Sequence, residues 1–170
     1  NLWEKGHWVN NKFGASNVAS IILEISQRCG IDLNHVEVSS VDEPVEGMLI
    51  SNQITGLNAI NTLRTAYFFD ICANDGNKIS FIKRGYRQEI IVNSASCIKL
   101  SDNSFLEEIE LPQDIALNKI DLYFMDQNKN YDTGYVYINN EKTSYSSKAK
   151  LCLPLAMTPD DAKRIGLLIL

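Results

Sequence analysis

The sequence predicts an α+β fold, in which a helix-and-hairpin module is joined to a strand-rich part with a C-terminal helix. Three observations support this: two apolar stripes at helical spacing, an Asp-Gly turn between alternating apolar residues, and alternating segments in the second half. The 170 residues are 45% hydrophobic and 22% charged, which is typical of a globular chain. We expect two segments, residues 1–100 and 101–170. Because the sequence begins at Asn1, we also expect it to be a piece of a longer protein.

The first helix is predicted over residues 15–30, because five apolar side chains fall on one helical stripe. They are Val18, Ile21, Ile22, Ile25 and Cys29. Ser16 can cap its start, and Gly30 suits its C-terminal exit. We expect the leading segment to pack through its aromatic residues and the histidine among them. These are Trp3, His7, Trp8 and Phe13.

The second helix is predicted over residues 55–67, after a short strand at Gly47–Ile50. Thr55 can cap this helix. Its expected buried stripe is Leu57, Ile60, Leu63 and Ala66 or Tyr67. Both helices should pack on a small sheet that contains Ile50, Phe69, Ile71, Ile79 and Phe81.

A β-hairpin is predicted directly after the second helix. The chain becomes extended at Phe68–Cys72, and Lys78–Ile82 is the return strand. Asp75-Gly76 between them is a strong turn signal, because both residues tolerate positive φ. A further strand is predicted at Glu89–Val92.

The second half is predicted to be mostly strands. An acidic linker over residues 101–112 holds Glu107, Glu108 and Glu110. The strands beyond it are Lys119–Phe124, Gly134–Ile138 and Ala149–Leu153. The last helix is predicted from its start signal, a Thr cap, a Pro and two acids. Its start is Thr158-Pro159-Asp160-Asp161, and its apolar side is Ala162, Ile165 and Leu168 or Ile169.

Nucleophilic catalysis is not indicated by the histidines or cysteines. A nucleophile–base pair would have to use His7 or His35, and neither lies beside a recognisable nucleophile motif. The cysteines are far apart and lack metal-ligand spacing. We expect them to be reduced, mostly buried small apolar residues in a reducing compartment. They are Cys29, Cys72, Cys97 and Cys152.

The best metal-like string places oxygen ligands at Asp126, Asn128, Asn130 and Asp132. The sixth position of a calcium loop is Tyr131 rather than Gly, and the twelfth is Tyr137 rather than Glu. We therefore interpret the string as a polar hairpin connection. No cofactor-binding or metal residues are predicted, and no cofactor is expected.

Paired carboxylates could cleave a glycoside. Asp70 and Asp75 bracket the hairpin, and Glu107, Glu108 and Glu110 crowd the linker. Neither group comes with aromatic sugar platforms, so we interpret them as solvated carboxylates and predict no catalytic residues.

Charge and hydropathy exclude two classes of partner. The formal net charge is −5 without a Lys/Arg cluster, which argues against nucleic-acid binding through a basic face. No apolar run is long enough for a membrane span, since even the stretch 165–170 is interrupted by Gly166.

An ordered string of short features extends along nearly the whole chain. It comprises His7-Trp8-Val9-Asn10-Asn11-Lys12, Glu24-Ile25, Cys29-Gly30, Val45-Glu46-Gly47-Met48-Leu49-Ile50, Phe69-Asp70, Asp75-Gly76, Ile79-Ser80-Phe81, Lys83-Arg84-Gly85, Leu111-Pro112, Tyr123, Asp126, Tyr131-Asp132 and Leu153-Pro154-Leu155. In order and spacing the string resembles the phage-tail protein family of gene transfer agents and long-tailed phages. The resembling part of those tail-tip or baseplate hub proteins follows a TIM-barrel-like module. Two family features are missing, since Gly47-Met48 replaces a Gly-Tyr and no Arg stands near Asn139-Asn140.

The resemblance implies a non-enzymatic structural component of a tail hub, with a barrel-like, tube-like strand-rich part. Implied partners are other tail proteins (tube, distal tail and tip components) and further copies of the chain, as a trimer in the intact particle. The implied location is the tail of a phage, prophage or gene-transfer particle made in the bacterial cytoplasm. We expect residues 115–155 to form the ring through edge strands, which can pair across subunits.

Two other functions stay open. One is a carbohydrate- or receptor-binding module of the tail tip, which exposed aromatic residues on a single face would favour. The other is a cell-wall glycan hydrolase fragment that uses acids such as Asp70 or Glu108.

Overall fold

The computed structural model describes residues 12–51, 54–74, 78–85, 117–140 and 147–170, and it confirms the α+β class. The helices are α1 (Val18–Arg28), α2 (Gly56–Tyr67) and α3 (Pro159–Ile169). The strands are β1 (Lys12–Phe13), β2 (Ser16–Asn17), β3 (Val36–Glu37), β4 (Pro44–Val45), β5 (Met48–Leu49), β6 (Phe69–Asn74), β7 (Lys78–Lys83), β8 (Lys119–Asp126), β9 (Asp132–Asn139) and β10 (Lys148–Met157).

Helix α1 is confirmed, but its cap lies one residue later than predicted. Ser16 belongs to β2, and the Oδ1 of Asn17 accepts a hydrogen bond from the Ser20 N–H at 2.8 Å. The predicted exit at Gly30 is confirmed, since its φ is +79°. The Ile31 N–H then donates to the Ser26 carbonyl at 3.0 Å, which satisfies a carbonyl of the last turn.

Helix α2 is capped by Thr55 as predicted. The prediction that Leu57 is buried is wrong, because its side chain is 60% exposed. The buried side of the helix is Ala59, Ile60, Leu63 and Ala66. At ~100° per residue, Leu57 lies about 120° around the helix axis from Leu63, outside the buried side. Phe68 ends the helix with φ +52°, so the next strand begins at Phe69.

The first part holds a three-stranded sheet in the order β3-β7-β6. The hairpin is confirmed by continuous antiparallel pairing from Phe69↔Lys83 to Asn74↔Lys78. Phe69 and Phe81 meet edge to face, with centroids 6.0 Å apart. The prediction that Ile50 joins this sheet is wrong, because the preceding strand β5 pairs with β1 and β10 instead.

A five-stranded sheet has the order β1-β5-β10-β8-β9. Strands β8 and β10 are parallel, and β8 and β9 pair antiparallel over eight residues. Among the residues that the structure describes this sheet is open, so the expected barrel is not closed there. Strand β10 runs past its predicted end at Leu153. Its register shifts between Cys152 and Ala156, around Pro154, because proline cannot donate to a strand ladder.

One buried cluster joins the helices to both sheets. Helix α3 is capped by Thr158, as predicted, and packs on β8 and β9. Ala162 and Ile165 are buried there, whereas Leu168 is 64% exposed. Because β5 pairs with β10, the sheet connects the predicted segments 1–100 and 101–170. The boundary at residue 100 stays a prediction.

Several predicted features lie outside the described residues. They are the leading residues Trp3, His7 and Trp8, the Asp75-Gly76 turn, the strand Glu89–Val92, Cys97 and the acidic linker with Glu107, Glu108 and Glu110.

Candidate interaction surface

The outward face of β8, β9 and β10 carries an organised polar and aromatic surface. Along β8, β9 and the first half of β10, alternate residues are the less exposed ones, and their neighbours point away from the core. Register places Tyr123 opposite Tyr135, and Asp121 between Tyr137 and Lys150. We call this surface the Tyr–Lys face and define it by Asp121, Tyr123, Tyr135, Tyr137, Lys148 and Lys150.

Hydrogen bonds fix the centre of the Tyr–Lys face. The Tyr135 hydroxyl donates to Asp121 Oδ1 at 2.9 Å, and Lys148 Nζ lies 2.6 Å from Asp121 Oδ2. The hydrogen bond from Lys148 lowers the pKa of Asp121, and the Asp121 carboxylate raises the pKa values of Tyr135 and Lys148. Both shifts favour the charged forms, so Asp121 is ionised and Lys148 is protonated near neutral pH.

The rings of this face are close to one another and to cations. The centroids of Tyr123 and Tyr135 are 5.1 Å apart. Lys150 Nζ lies 4.6 Å from the Tyr123 centroid, and Lys148 Nζ lies 5.6 Å from that of Tyr137. Such cation–π contacts order both lysines. Tyr135 and Tyr137 remain 52% and 47% exposed, so much of each ring stays accessible.

Sequence reasoning missed this face. The sequence feature that could have indicated it is the pair Tyr135 and Tyr137, which are two residues apart on one strand and therefore lie on the same side of it. The sequence did not indicate that Asp121 and Lys148 lie beside these tyrosines, because the parallel register of β8 and β10 was not predicted.

The candidate acid Asp70 lies in an arginine cluster. Arg84 holds both of its carboxylate oxygens, with Nε 3.1 Å from Oδ2 and Nη2 3.0 Å from Oδ1. Arg64 Nη2 adds a third contact at 3.1 Å to Oδ1. Hydrogen bonds from Arg84, then Arg64, lower the pKa of Asp70. A general acid at neutral pH needs a raised pKa, so Asp70 is poorly suited to the general-acid role in glycoside cleavage.

We expect Asp70→Asn to reduce stability slightly at neutral pH and not at strongly acidic pH. Because the pKa of Asp70 is lowered in the folded chain, its ionised carboxylate stabilises the fold at pH values above the ordinary pKa of 3.8. This contribution is lost as the pH falls through the lowered pKa. The effect is small because all three side chains are at least 42% exposed to solvent. Melting temperatures across the acid range provide the measurement. Arg84→Gln should give the same pH dependence. A loss of stability in Asp70→Asn that persists in strong acid would contradict a stabilising role of the ionised Asp70.

The polar string forms the connection between β8 and β9, as predicted. A short 3₁₀ turn covers Gln127–Lys129, and Asn130 and Tyr131 both have positive φ. Asp126 is buried, and its Oδ1 accepts from the Asn128 N–H at 3.0 Å while Lys129 Nζ lies 3.6 Å from Oδ2. Within the described ranges, no cluster of three or more His, Cys, Asp or Glu side chains could hold a metal ion.

We expect calcium to produce no binding isotherm with this chain in calorimetric titration. Both oxygens of Asp126 already have protein partners, and the turn lacks the glycine and bidentate acid of a calcium loop. Micromolar binding that disappears in Asp126→Ala would contradict this expectation.

The described part of the chain includes one histidine and three of the four cysteines. His35 ends a 3₁₀ turn at Leu33–His35 and is half-buried. The expectation that the cysteines are mostly buried is wrong, since Cys29 and Cys152 are exposed and Cys72 is half-buried. Cys29 is the residue that ends α1, and Cys152 lies on the outward face of β10.

None of the described helices is long and apolar enough to cross a membrane.

Comparison with known proteins gives one family and a set of similar folds. A family model described as a putative phage tail protein matches residues 55–170. No curated protein matches the chain.

Three of the similar solved structures are a gene transfer agent virion and two tail proteins. A chain in the virion of a native gene transfer agent particle is 21% identical with a TM-score of 0.78, over 99% of this chain and 38% of that one. The 43 kDa tail protein of prophage MuSo2 from Shewanella oneidensis is 12% identical, with a TM-score of 0.54 over 94% of this chain and 45% of that one. A tail protein from Neisseria meningitidis MC58 is 8% identical, with a TM-score of 0.57 over 88% of this chain and 44% of that one. This chain therefore spans less than half the length of each.

Proposed function

The chain belongs to the family of putative phage tail proteins, and from this premise we propose that it is part of a tail-tip or baseplate hub. Membership makes it a structural component of a phage-type tail, located in the virion or a related particle. In the proposed role it joins the tail tube to host-facing parts and contributes to tail assembly.

The observation that carries this proposal is the fold match to the gene transfer agent virion, which extends over 99% of the chain. We propose the tube, distal tail and tip proteins as partners, and a homotrimer as the state in the intact particle. The domain division belongs to the same proposal, with a helix-and-hairpin module at 1–100 and a strand-rich hub segment at 101–170.

Residues 115–155 are the proposed ring-forming part. Strand β9 lies at the edge of the sheet as described, and it pairs with β8 without a bulge. Its eight residues include no Lys, Arg or Pro, the residues by which many edge strands are protected from pairing. A strand of a neighbouring subunit could therefore extend the sheet through backbone hydrogen bonds, and a heterologous contact of this kind can close a ring.

We propose that the chain performs no bond-breaking chemistry. The surroundings of Asp70 support this for the general-acid role, because two arginines hold its carboxylate and lower its pKa. The other candidate acid of the hydrolase alternative, Glu108, lies outside the described residues.

Carbohydrate or receptor binding at the tail tip is the second candidate function. The observation that favours it is the clustering of Tyr123, Tyr135 and Tyr137 on one face of the sheet, with two of the rings about half exposed. Exposed aromatic rings on one face provide a platform for apolar sugar surfaces.

Antibody labelling of purified particles tests the hub proposal. Gold-labelled antibodies against this chain should bind at the distal end of the tail in electron micrographs. Regular labelling along the whole tube would contradict a hub position. If mass spectrometry of purified particles detected no peptides of this chain, its role as a virion component would be contradicted.

A further inference from the structure

We propose that the Tyr–Lys face binds an acidic polysaccharide, a chain of sugars that bear carboxylates. This inference rests on the second proposed function, carbohydrate binding, and names its ligand class. It uses the outward side chains of β8, β9 and β10, whereas the proposed ring contact uses the backbone edge of β9.

The tyrosine rings supply the part of the site that recognises a sugar. The faces of aromatic rings are apolar and carry partial negative charge, so they attract the C–H groups on the flat side of a sugar ring. Tyr135 and Tyr137 lie two residues apart on β9, and both point outward. Tyr123 supports Tyr135 from the neighbouring strand at a centroid distance of 5.1 Å.

The charges of this face favour an anionic ligand. Of the outward residues at 119–125, 133–139 and 148–152, Lys119, Lys148 and Lys150 are cationic and Asp121 is the one acid. The chain as a whole has a formal net charge of −5. The face is thus a local cationic patch on an acidic chain, and its attraction for carboxylates acts over about 8–10 Å at physiological salt.

The site is ordered before any ligand arrives. Lys148 is held by Asp121 and lies near the Tyr137 ring, while Lys150 lies over the Tyr123 ring. The Tyr135 hydroxyl is oriented by its hydrogen bond to Asp121. Side chains fixed in this way lose less conformational entropy on binding.

Binding of the whole 170-residue chain to surface-immobilised polymers tests the inference. The probes are polygalacturonate as the acidic sugar polymer, dextran as a neutral one, and polyglutamate as a polyanion without sugar. We expect the chain to bind polygalacturonate at least about tenfold more tightly than either of the other two polymers.

Variants then assign the binding to the face. Tyr137→Leu, Tyr135→Leu and Lys150→Gln should each weaken polygalacturonate binding by about tenfold. Lys163→Gln is the matched control, because it removes the same charge from exposed α3, which packs on the opposite side of the sheet. This control should bind like the parent. Thermal melts monitored by circular dichroism verify that each variant is folded, and the two tyrosine variants substitute for one another if one of them is not.

Three results would overturn the inference. Equal binding to polyglutamate, with no effect of either tyrosine variant, would show simple ion exchange. Equal binding to dextran would remove the acidic specificity while carbohydrate binding itself stands. No binding to either sugar polymer would overturn both the inference and the carbohydrate-binding proposal, and it would leave the hub proposal in place.

Discussion

Leu63→Ala is expected to lower the free energy of unfolding by about 2–5 kcal/mol. Leu63 is fully buried in the cluster that joins the helices to both sheets. Truncation loses the transfer free energy of the removed carbons, and the cavity left behind adds to the cost because neighbouring residues relax only in part. Chemical denaturation, followed by the change in helical circular dichroism, gives the measurement.

Leu57→Ala is the matched control for this prediction. It makes the same change on the same helix, but Leu57 is 60% exposed. Its expected effect is within about 0.5 kcal/mol, as for most surface substitutions. Similar losses for both variants would mean that α2 does not bury the side identified here.

Gly134→Ala is expected to destabilise the chain by about 1–3 kcal/mol through overpacking. Gly134 lies directly opposite Phe124 in the β8–β9 pair, and Phe124 is buried. A Cβ on Gly134 would lie 2.6 Å from Phe124 Cζ and 2.7 Å from Cε2. A rigid buried ring cannot retreat as the end of a flexible side chain can, so strand or ring must shift.

A double-mutant cycle separates this clash from a general effect on the strand. Phe124→Leu removes the ring, so adding Gly134→Ala to it should cost less than adding it to the parent, by about 1 kcal/mol. Thr133→Ala, at the exposed neighbouring position, should change the free energy of unfolding by less than about 0.5 kcal/mol. Additive losses in the cycle would refute the steric explanation.

Local patterns predicted the helices and the hairpin well, because their signals lie within a few residues of each other. Thr55 and Thr158 cap α2 and α3, and Gly30 ends α1, as expected. The cap at Asn17 was missed because Ser16 beside it is an equally good capping residue, and the pairing of β2 with β4 decides between them.

Long-range pairing was the part that sequence patterns could not supply. Short strand β5 contains two residues, and nothing in Met48 or Leu49 specifies β10 as its partner more than a hundred residues later. The same limit applies to the parallel pairing of β8 with β10. The placement of Ile50 in the small sheet failed for this reason.

The Tyr–Lys face shows the same limit at the level of a site. Alternation alone predicts that Tyr135 and Tyr137 share one side of a strand. Only the register of three strands brings Asp121 and Lys148 to them, and these two residues fix the charge and the hydrogen bonds of the face.

The most direct test of the hub proposal is an electron cryomicroscopy reconstruction of the full-length protein in an assembled tail. We expect a ring of three copies at the distal end of the tube, in which residues 115–155 of each copy contact the next. Strand β9 should there pair with, or pack against, a strand of the neighbouring subunit. A reconstruction in which residues 115–155 touch no neighbouring subunit would contradict the proposal.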